Sequence, residues 1–125
     1  AFERGLRLRR ADLDATDAGR GSLTVHLWWD AGQTISGDDV RFVHVVGPDG
    51  AQAAGVDVAP GAFAGQLMEA VVIDLPADLA PGEYRVYTGW YRYPSLERFA
   101  VLDDRPEAVN RLVQVGTFSI DDDEP

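Results

Sequence analysis

Residues 75–93 read LPADLAPGEYRVYTGWYRY, a turn rich in proline that leads into a strand rich in aromatic residues. Successive residues of a strand face opposite sides of the sheet. A tyrosine directly after such a turn often points inward and donates its hydroxyl back to the loop, the tyrosine corner of immunoglobulin-like sandwiches. The predicted inward set is Tyr84, Val86, Thr88 and Trp90, and the predicted outward set is Arg85, Tyr87, Gly89, Tyr91 and Tyr93.

The rest of the chain continues this pattern of short strands. Apolar residues recur at every second position between clusters of Gly, Pro and Asp, and no helical period of 3.6 residues is evident. The predicted strands are 5–14, 22–30, 40–46, 51–57, 67–75, the strand that begins at Tyr84, 97–102 and 112–120. Between them, 58–66 is predicted to be a loop and 103–110 a polar linker. We therefore expect an all-β, immunoglobulin-like, two-sheet antiparallel sandwich of about eight strands over residues 1–120, followed by an acidic disordered tail at 121–125.

Several local features refine this prediction. The alternating phase slips near Arg9 and Arg10, which indicates a bulge. Residues 40–46 are apolar on both faces and should form a central strand. Residues 47–50, Gly-Pro-Asp-Gly, have the composition of a type I turn that closes a hairpin. In the strand 22–30 one alternating set is wholly apolar and is assigned to the core: Leu23, Val25, Leu27 and Trp29.

Composition restricts the function more than it identifies it. The 125 residues contain no Cys, so neither a disulfide nor a cysteine metal site is possible. All 11 basic residues are Arg, and the net charge of −10 argues against nucleic acid or an anionic membrane surface as the main partner. A GC-rich genome or adaptation to salt would each explain an acidic chain without lysine. No run of 18 apolar residues occurs. Because the chain begins at Ala1 without Met, we expect a processed product or a piece of a longer protein.

Two blocks of residues carry a resemblance to a known family. The first is Phe42-Val43-His44-Val45 followed by Pro48-Asp49-Gly50, Asp57 and Pro60; the second is Leu75-Pro76, Pro81-Gly82-Glu83-Tyr84, Gly89-Trp90-Tyr91 and Arg98. Together they resemble the soluble β-sandwich domain of bacterial multi-pass membrane proteins of the glycosyltransferase (dolichyl-phosphate-mannose mannosyltransferase-like) type. Arg92 stands where that pattern has Asp, and the loop 58–66 lacks its Trp. The resemblance implies an extracytoplasmic, membrane-tethered accessory domain, at the cell surface or in the periplasm, with no chemistry of its own.

The exposed aromatic residues are the main candidates for binding. Tyr87 and Tyr91 flank Gly89 on the predicted outer face, Tyr93 follows, and Trp28 projects from another strand beside His26. Aromatic rings of this kind can stack on sugars or anchor a protein partner. The alternative is that a neighbouring element covers them, since a strand glycine accommodates an aromatic ring from the next strand.

Metal binding and catalysis have weaker support. His26 and His44 could begin a copper or zinc site if their strands were neighbours, but such sites usually need further ligands. The loop acids at 38–39 and 103–104 could contribute to a calcium site, or could simply be solvated. No Gly-x-Ser-x-Gly elbow, phosphate-binding loop or paired catalytic carboxylates occur. No metal, cofactor or catalytic residue is therefore predicted.

These observations favour a non-catalytic accessory or interaction domain of a larger membrane-bound protein. Its expected partner is another protein or the membrane-embedded remainder of its own chain. The alternative is a carbohydrate-binding module that uses the exposed aromatic residues.

Overall fold

The computed structural model describes residues 1–16, 18–76, 78–103 and 105–120, and within them it forms eight strands. The strands are β1 Leu6–Asp14, β2 Ser22–Ile35, β3 Asp39–Val46, β4 Gln52–Val58, β5 Phe63–Asp74, β6 Gly82–Arg92, β7 Glu97–Arg98 and β8 Val113–Ile120. Three short 3₁₀ helices, Glu3–Gly5, Ala18–Arg20 and Pro106–Asn110, complete the described structure. None of these helices has the length that a membrane crossing requires.

The strands form two antiparallel sheets. The three-stranded sheet has the order β1-β2-β5. In the five-stranded sheet β4, β3 and β6 follow one another, and β7 and β8 pair with successive parts of β6. This order, with the second and fifth strands in one sheet and the third and sixth in the other, is that of an immunoglobulin-like sandwich. The predicted fold class is confirmed.

The tyrosine corner and the aromatic core are confirmed as well. Tyr84 is buried, and its hydroxyl donates to the carbonyl oxygen of Ala80, four residues upstream. Trp29 of β2 and Trp90 of β6 meet across the sandwich with ring centroids 5.4 Å apart and planes 80° apart. Edge-to-face contact of this kind adds to the stabilisation from apolar burial. The two tryptophans therefore hold the sheets together at the centre of the core.

The predicted turn and bulge are present. The amide of Gly50 donates to the carbonyl oxygen of Gly47 at 3.0 Å, and Gly50 has a φ of 83°, which glycine adopts without strain. The pairing of β1 with β2 shifts register between Leu8 and Arg10, where the bulge was expected. Strand β3 lies between β4 and β6, as its apolar character on both faces indicated.

Several predicted boundaries are wrong. The strand predicted to end at residue 30 continues to Ile35, which pairs with Phe63 of β5. Strand β5 begins at Phe63, inside the predicted loop 58–66, because the inward side chain of Phe63 packs near Trp90. The strand predicted over 97–102 is reduced to Glu97–Arg98; beyond it, the Phe99 amide still donates to the carbonyl oxygen of Trp90 in β6, and Val101 forms an isolated bridge with Phe2. The predicted linker 103–110 contains the 3₁₀ helix at 106–110, for which Pro106 is well suited because proline favours the first helical turn. The predicted acidic tail, 121–125, lies outside the described residues.

An ion pair inside the sandwich joins the two sheets. Arg41 of β3 donates to the Glu69 carboxylate of β5 from Nη2 at 2.7 Å and from Nε at 3.0 Å. The indole of Trp29 donates to the same carboxylate at 2.8 Å. The two charged side chains are only 3% and 11% exposed. Because β5 is an edge strand, its inward Glu69 also disfavours pairing with a foreign strand at that edge.

Candidate functional site

The sequence-predicted site residues lie on opposite sides of the molecule. Tyr87 and Tyr91 are half-buried on the outer face of the five-stranded sheet, and exposed Tyr93 follows them. Trp28 and His26 lie on the outer face of the three-stranded sheet. Since the whole core separates these faces, one ligand cannot contact both groups. The candidates therefore divide into a tyrosine group and a tryptophan group.

Phe42 organises the tyrosine side. It lies on the outer face of β3 directly opposite Gly89 of β6, and it is nevertheless only 1% exposed. A Cβ atom at Gly89 would stand 2.5 Å from Phe42 Cζ, so the ring occupies the space that a side chain would fill. The Phe42 ring therefore covers Gly89, as a strand glycine allows, whereas Tyr87 and Tyr91 stay half-buried and Tyr93 stays exposed.

Polar groups surround this ring. The Arg98 guanidinium lies 4.8 Å above the Phe42 ring centroid, and the His44 ring centroid is 4.5 Å from it. The Tyr91 hydroxyl donates to Asp57 Oδ2 at 2.9 Å. With Leu96, these residues line a shallow depression of about 210 Å³, which we call the Phe42 depression. Four strands and the turn after β6 contribute to it.

The electrostatics of the depression follow from partial burial. Desolvation lowers the pKa of His44, the positive charge of Arg98 lowers it further, and Asp57 acts in the opposite direction. Burial and the hydrogen bond to Asp57 raise the pKa of Tyr91. At neutral pH, therefore, the imidazole is largely neutral and the phenol keeps its proton. The depression presents hydroxyl, imidazole, guanidinium and carboxylate groups beside aromatic rings.

The turn between β6 and β7 forms one rim of the depression. Leu96 adopts a φ of 63°, a left-handed conformation that leucine rarely takes, and its side chain remains exposed while lining the depression. Tyr93, in the same turn, is exposed as well. These two residues extend the apolar surface beyond the sheet itself.

The tryptophan group forms a second surface on the three-stranded sheet. Arg10, Trp28 and Met68 are consecutive cross-strand neighbours on β1, β2 and β5. The Arg10 guanidinium lies 4.9 Å over the Trp28 ring, and Met68 is 56% exposed. A depression of about 350 Å³ beside them is lined further by Arg9 and by Gln66 and Leu67 of β5.

The two histidines cannot form a common site. His26 belongs to β2 of the three-stranded sheet and His44 to β3 of the other sheet, so the idea that their strands could be neighbours is wrong. Among the described residues, no three His, Asp or Glu side chains are grouped as metal ligands would be. Of the loop acids, Asp39 accepts the Ser36 amide at 2.9 Å and Asp103 pairs with the N-terminal amine, while Asp104 lies outside the described residues.

Sequence reasoning identified Tyr91 but missed the binding potential of its neighbours. Leu96 was not singled out, and Phe42, Asp57 and Arg98 entered only through the family resemblance. His44 was considered there and as a metal ligand, but not as part of a binding surface. A signal was present in the hairpin turn at 47–50, which pairs Phe42 with Asp57 and His44 with Gly55. The pairing of β3 with β6, which completes the depression, has no local signal.

Comparison with known proteins supports the fold. No family model and no curated protein matches the chain. A solved structure, the crystal structure of the C-terminal domain of wzt, superimposes with a TM-score of 0.57 at 12% identity, covering 79% of this chain and 67% of that chain. The resemblance to the glycosyltransferase-type domain stays a prediction. The chain therefore shares its β-sandwich fold with a domain that, by its name, is the C-terminal part of a longer protein.

Proposed function

We propose that this chain is a non-catalytic accessory domain of a larger protein, and that it binds a glycan in the Phe42 depression. The family resemblance supports an extracytoplasmic position, tethered to a membrane protein of the glycosyltransferase-like type. The solved neighbour supports the accessory part of the proposal, since it is the C-terminal domain of a longer protein. Transmembrane segments encoded upstream of Ala1 in the native reading frame are expected, and their absence would reject membrane tethering.

One observation carries the glycan proposal: the half-buried Tyr91 is oriented by its hydrogen bond to Asp57, beside His44 and Arg98. Sugar rings present apolar C–H faces and hydroxyl edges, so they suit an aromatic ring flanked by hydrogen-bonding groups. Shape also supports an extended ligand, because the depression is shallow and lies on an open sheet face rather than in a closed cavity. Protein interfaces use the same residue types, so binding has to be measured directly.

The direct test is a glycan array followed by isothermal titration calorimetry. Tryptophan fluorescence is a poor reporter for this site, because Trp29 and Trp90 are buried in the core and Trp28 lies on the other sheet. Tyr91→Ala should weaken glycan binding by about 30-fold, as expected for removal of a central aromatic contact worth about 2 kcal/mol.

The matched control is Trp28→Ala, which removes an aromatic ring of the opposite face and should leave the affinity unchanged. Equal losses in the two variants would show that binding does not involve the Phe42 depression. Absence of binding to any glycan at millimolar concentration would reject the glycan proposal and leave the accessory role.

A second candidate function is protein contact through the surface formed by Arg10, Trp28 and Met68. Trp, Arg and Met are enriched in protein interfaces, and here they are adjacent and partly exposed. We propose another part of the same longer protein as the occupant. A photo-crosslinking residue at position 68 of the full-length protein should then form an intramolecular product that the same residue at position 93 does not. Equal crosslinking from both positions would contradict this assignment.

A further inference from the structure

We infer that the glycan bound in the Phe42 depression carries a carboxylate group, which Arg98 and His44 receive. This inference rests on the proposed glycan-binding function and adds the chemical class of the ligand. The domain would then bind acidic sugars, such as uronic acids, in preference to neutral ones.

The ion pairing of the arginines supports an anionic ligand. A carboxylate lies within 4.0 Å of each of Arg9, Arg10, Arg41, Arg92, Arg105 and Arg111. Arg98, like Arg7 and Arg85, has no such partner among the described residues, and of these three arginines it alone is half-buried. Its Nη1 donates to the carbonyl oxygen of Asn110 at 2.8 Å, which leaves most of the guanidinium edge for a ligand. An unpaired, partly desolvated cation in a chain of net charge −10 marks a local preference for an anion.

The acid at this site does not cancel that preference. Asp57 Oδ2 accepts the Tyr91 hydroxyl, and among the described residues neither Arg98 nor His44 is hydrogen-bonded to Asp57. The Arg98 guanidinium carbon lies 4.8 Å from the centroid of the Phe42 ring, and this cation–π contact holds the guanidinium at the depression. A guanidinium held in this way suits the two oxygens of a carboxylate.

His44 should make the affinity for an acidic glycan depend on pH. The groups that face it are Arg98 of β7, Asp57 of β4, and Tyr87 and Tyr91 of β6, and the net effect of burial and charge is a lowered pKa. A carboxylate bound beside the imidazole would raise that pKa, so binding would take up a proton. Affinity for an acidic glycan should therefore increase as the pH falls from about 7.5 to about 5.5, which brackets the ordinary histidine pKa of about 6.5. A neutral glycan should show no such increase.

The test compares oligosaccharides that differ only in charge. A panel of uronic-acid trisaccharides is titrated in the calorimeter, each beside its methyl ester, which keeps the shape and removes the charge. The acid should bind at least about 10-fold more tightly than its ester. Arg98→Gln should weaken binding of the acid by about 10- to 100-fold, because a charge-assisted hydrogen bond is lost, and should leave binding of the ester unchanged.

The matched control is Arg85→Gln. Arg85 lies on the outer face of the same sheet, opposite Val46, and its replacement changes the net charge of the protein by the same amount. It should alter the affinity for the acid by less than about twofold. Arg98→Lys keeps the charge but not the planar fork, and should give an intermediate loss. Circular dichroism and urea unfolding of every variant show whether the fold is retained.

The outcomes separate the two levels of the proposal. If esters bind as tightly as acids, and Arg98→Gln binds the acid with the affinity of the wild type, the acidic-ligand inference is overturned and the glycan-binding proposal stands. Equal losses for Arg98→Gln and Arg85→Gln would reduce the effect to net charge and also overturn the inference. Failure of every acid and every ester to bind would reject glycan binding itself, and the inference with it.

Discussion

Replacement of Glu69 by leucine should reveal how strongly the fold depends on the ion pair between the sheets. Arg41 is 3% exposed. Among the described residues its Nε and Nη2 donate only to the Glu69 carboxylate, and its Nη1 is buried without a hydrogen-bond partner. Glu69→Leu therefore leaves a buried cation with no counter-charge. We expect the free energy of unfolding to fall by about 3–5 kcal/mol, the usual consequence of breaking a buried pair from one side.

The double variant Arg41→Met with Glu69→Leu separates the buried charge from the rest of the effect. Both variants lack Glu69, so the Trp29 indole loses its acceptor in each, and this cost cancels when they are compared. Removal of the guanidinium should restore at least about 2 kcal/mol, because well-packed apolar residues often replace a buried ion pair at little cost. The double variant should thus be more stable than the single variant although it carries two substitutions.

Urea unfolding monitored by tryptophan fluorescence provides the measurement, since Trp29 and Trp90 are buried in the core and become exposed on unfolding. The midpoints should shift while the slopes stay equal. A loss below about 1 kcal/mol for Glu69→Leu would show that the guanidinium finds another partner or reaches water, and would refute the reasoning. So would a double variant that is less stable than the single one.

Two further predictions concern the Phe42 depression. Gly89→Ala should lower the free energy of unfolding by about 1–3 kcal/mol, since the added Cβ would stand 2.5 Å from Phe42 Cζ and 3.0 Å from a backbone carbonyl oxygen. The control is Gly37→Ala, whose Cβ would meet nothing closer than 3.9 Å and which should have little effect in the same urea assay. Equal stabilities of the two variants would contradict the packing argument. The pKa of His44, followed by NMR titration, should lie below 6.5 and should rise in Arg98→Gln. Because this lowered pKa makes the folded state less stable as the pH falls below 6.5, the loss of stability should be smaller in that variant. An unchanged pKa would contradict the assigned role of Arg98.

Local patterns were sufficient for most of the strands and, in β2 and β6, for the side of the sheet that the residues face. Alternation placed Trp29 and Trp90 in the core and Tyr87 and Tyr91 outside, because a strand has a strict two-residue period. The turn at 47–50 fixed the hairpin of β3 and β4 for the same local reason. The boundaries of β5 and β7 were wrong, because they depend on contacts with residues far away in the chain, such as that of Phe63 with Trp90.

The candidate site could be predicted only in part. Tyr91 was recognisable as an exposed aromatic residue, but its neighbours come from β3, β4 and β7, and their assembly depends on which strands pair. Phe42 was recognised only as one apolar residue of a central strand, because the alternation in 40–46 does not say which face packs between the sheets. It is buried on the outer face, where Gly89 leaves room for its ring and Arg98 covers it.

The sequence by itself determined that this protein is a β-sandwich with a tyrosine corner, because alternation, turn composition and the position of Tyr84 are local properties of the chain. Tertiary structure alone decided that β2 pairs with β5 while β3 pairs with β6. That choice depends on how the apolar faces of distant strands can be buried together, and no short segment encodes it. It separates Trp28 from the tyrosines and brings Arg98, His44 and Asp57 together around Phe42, where the proposed binding takes place.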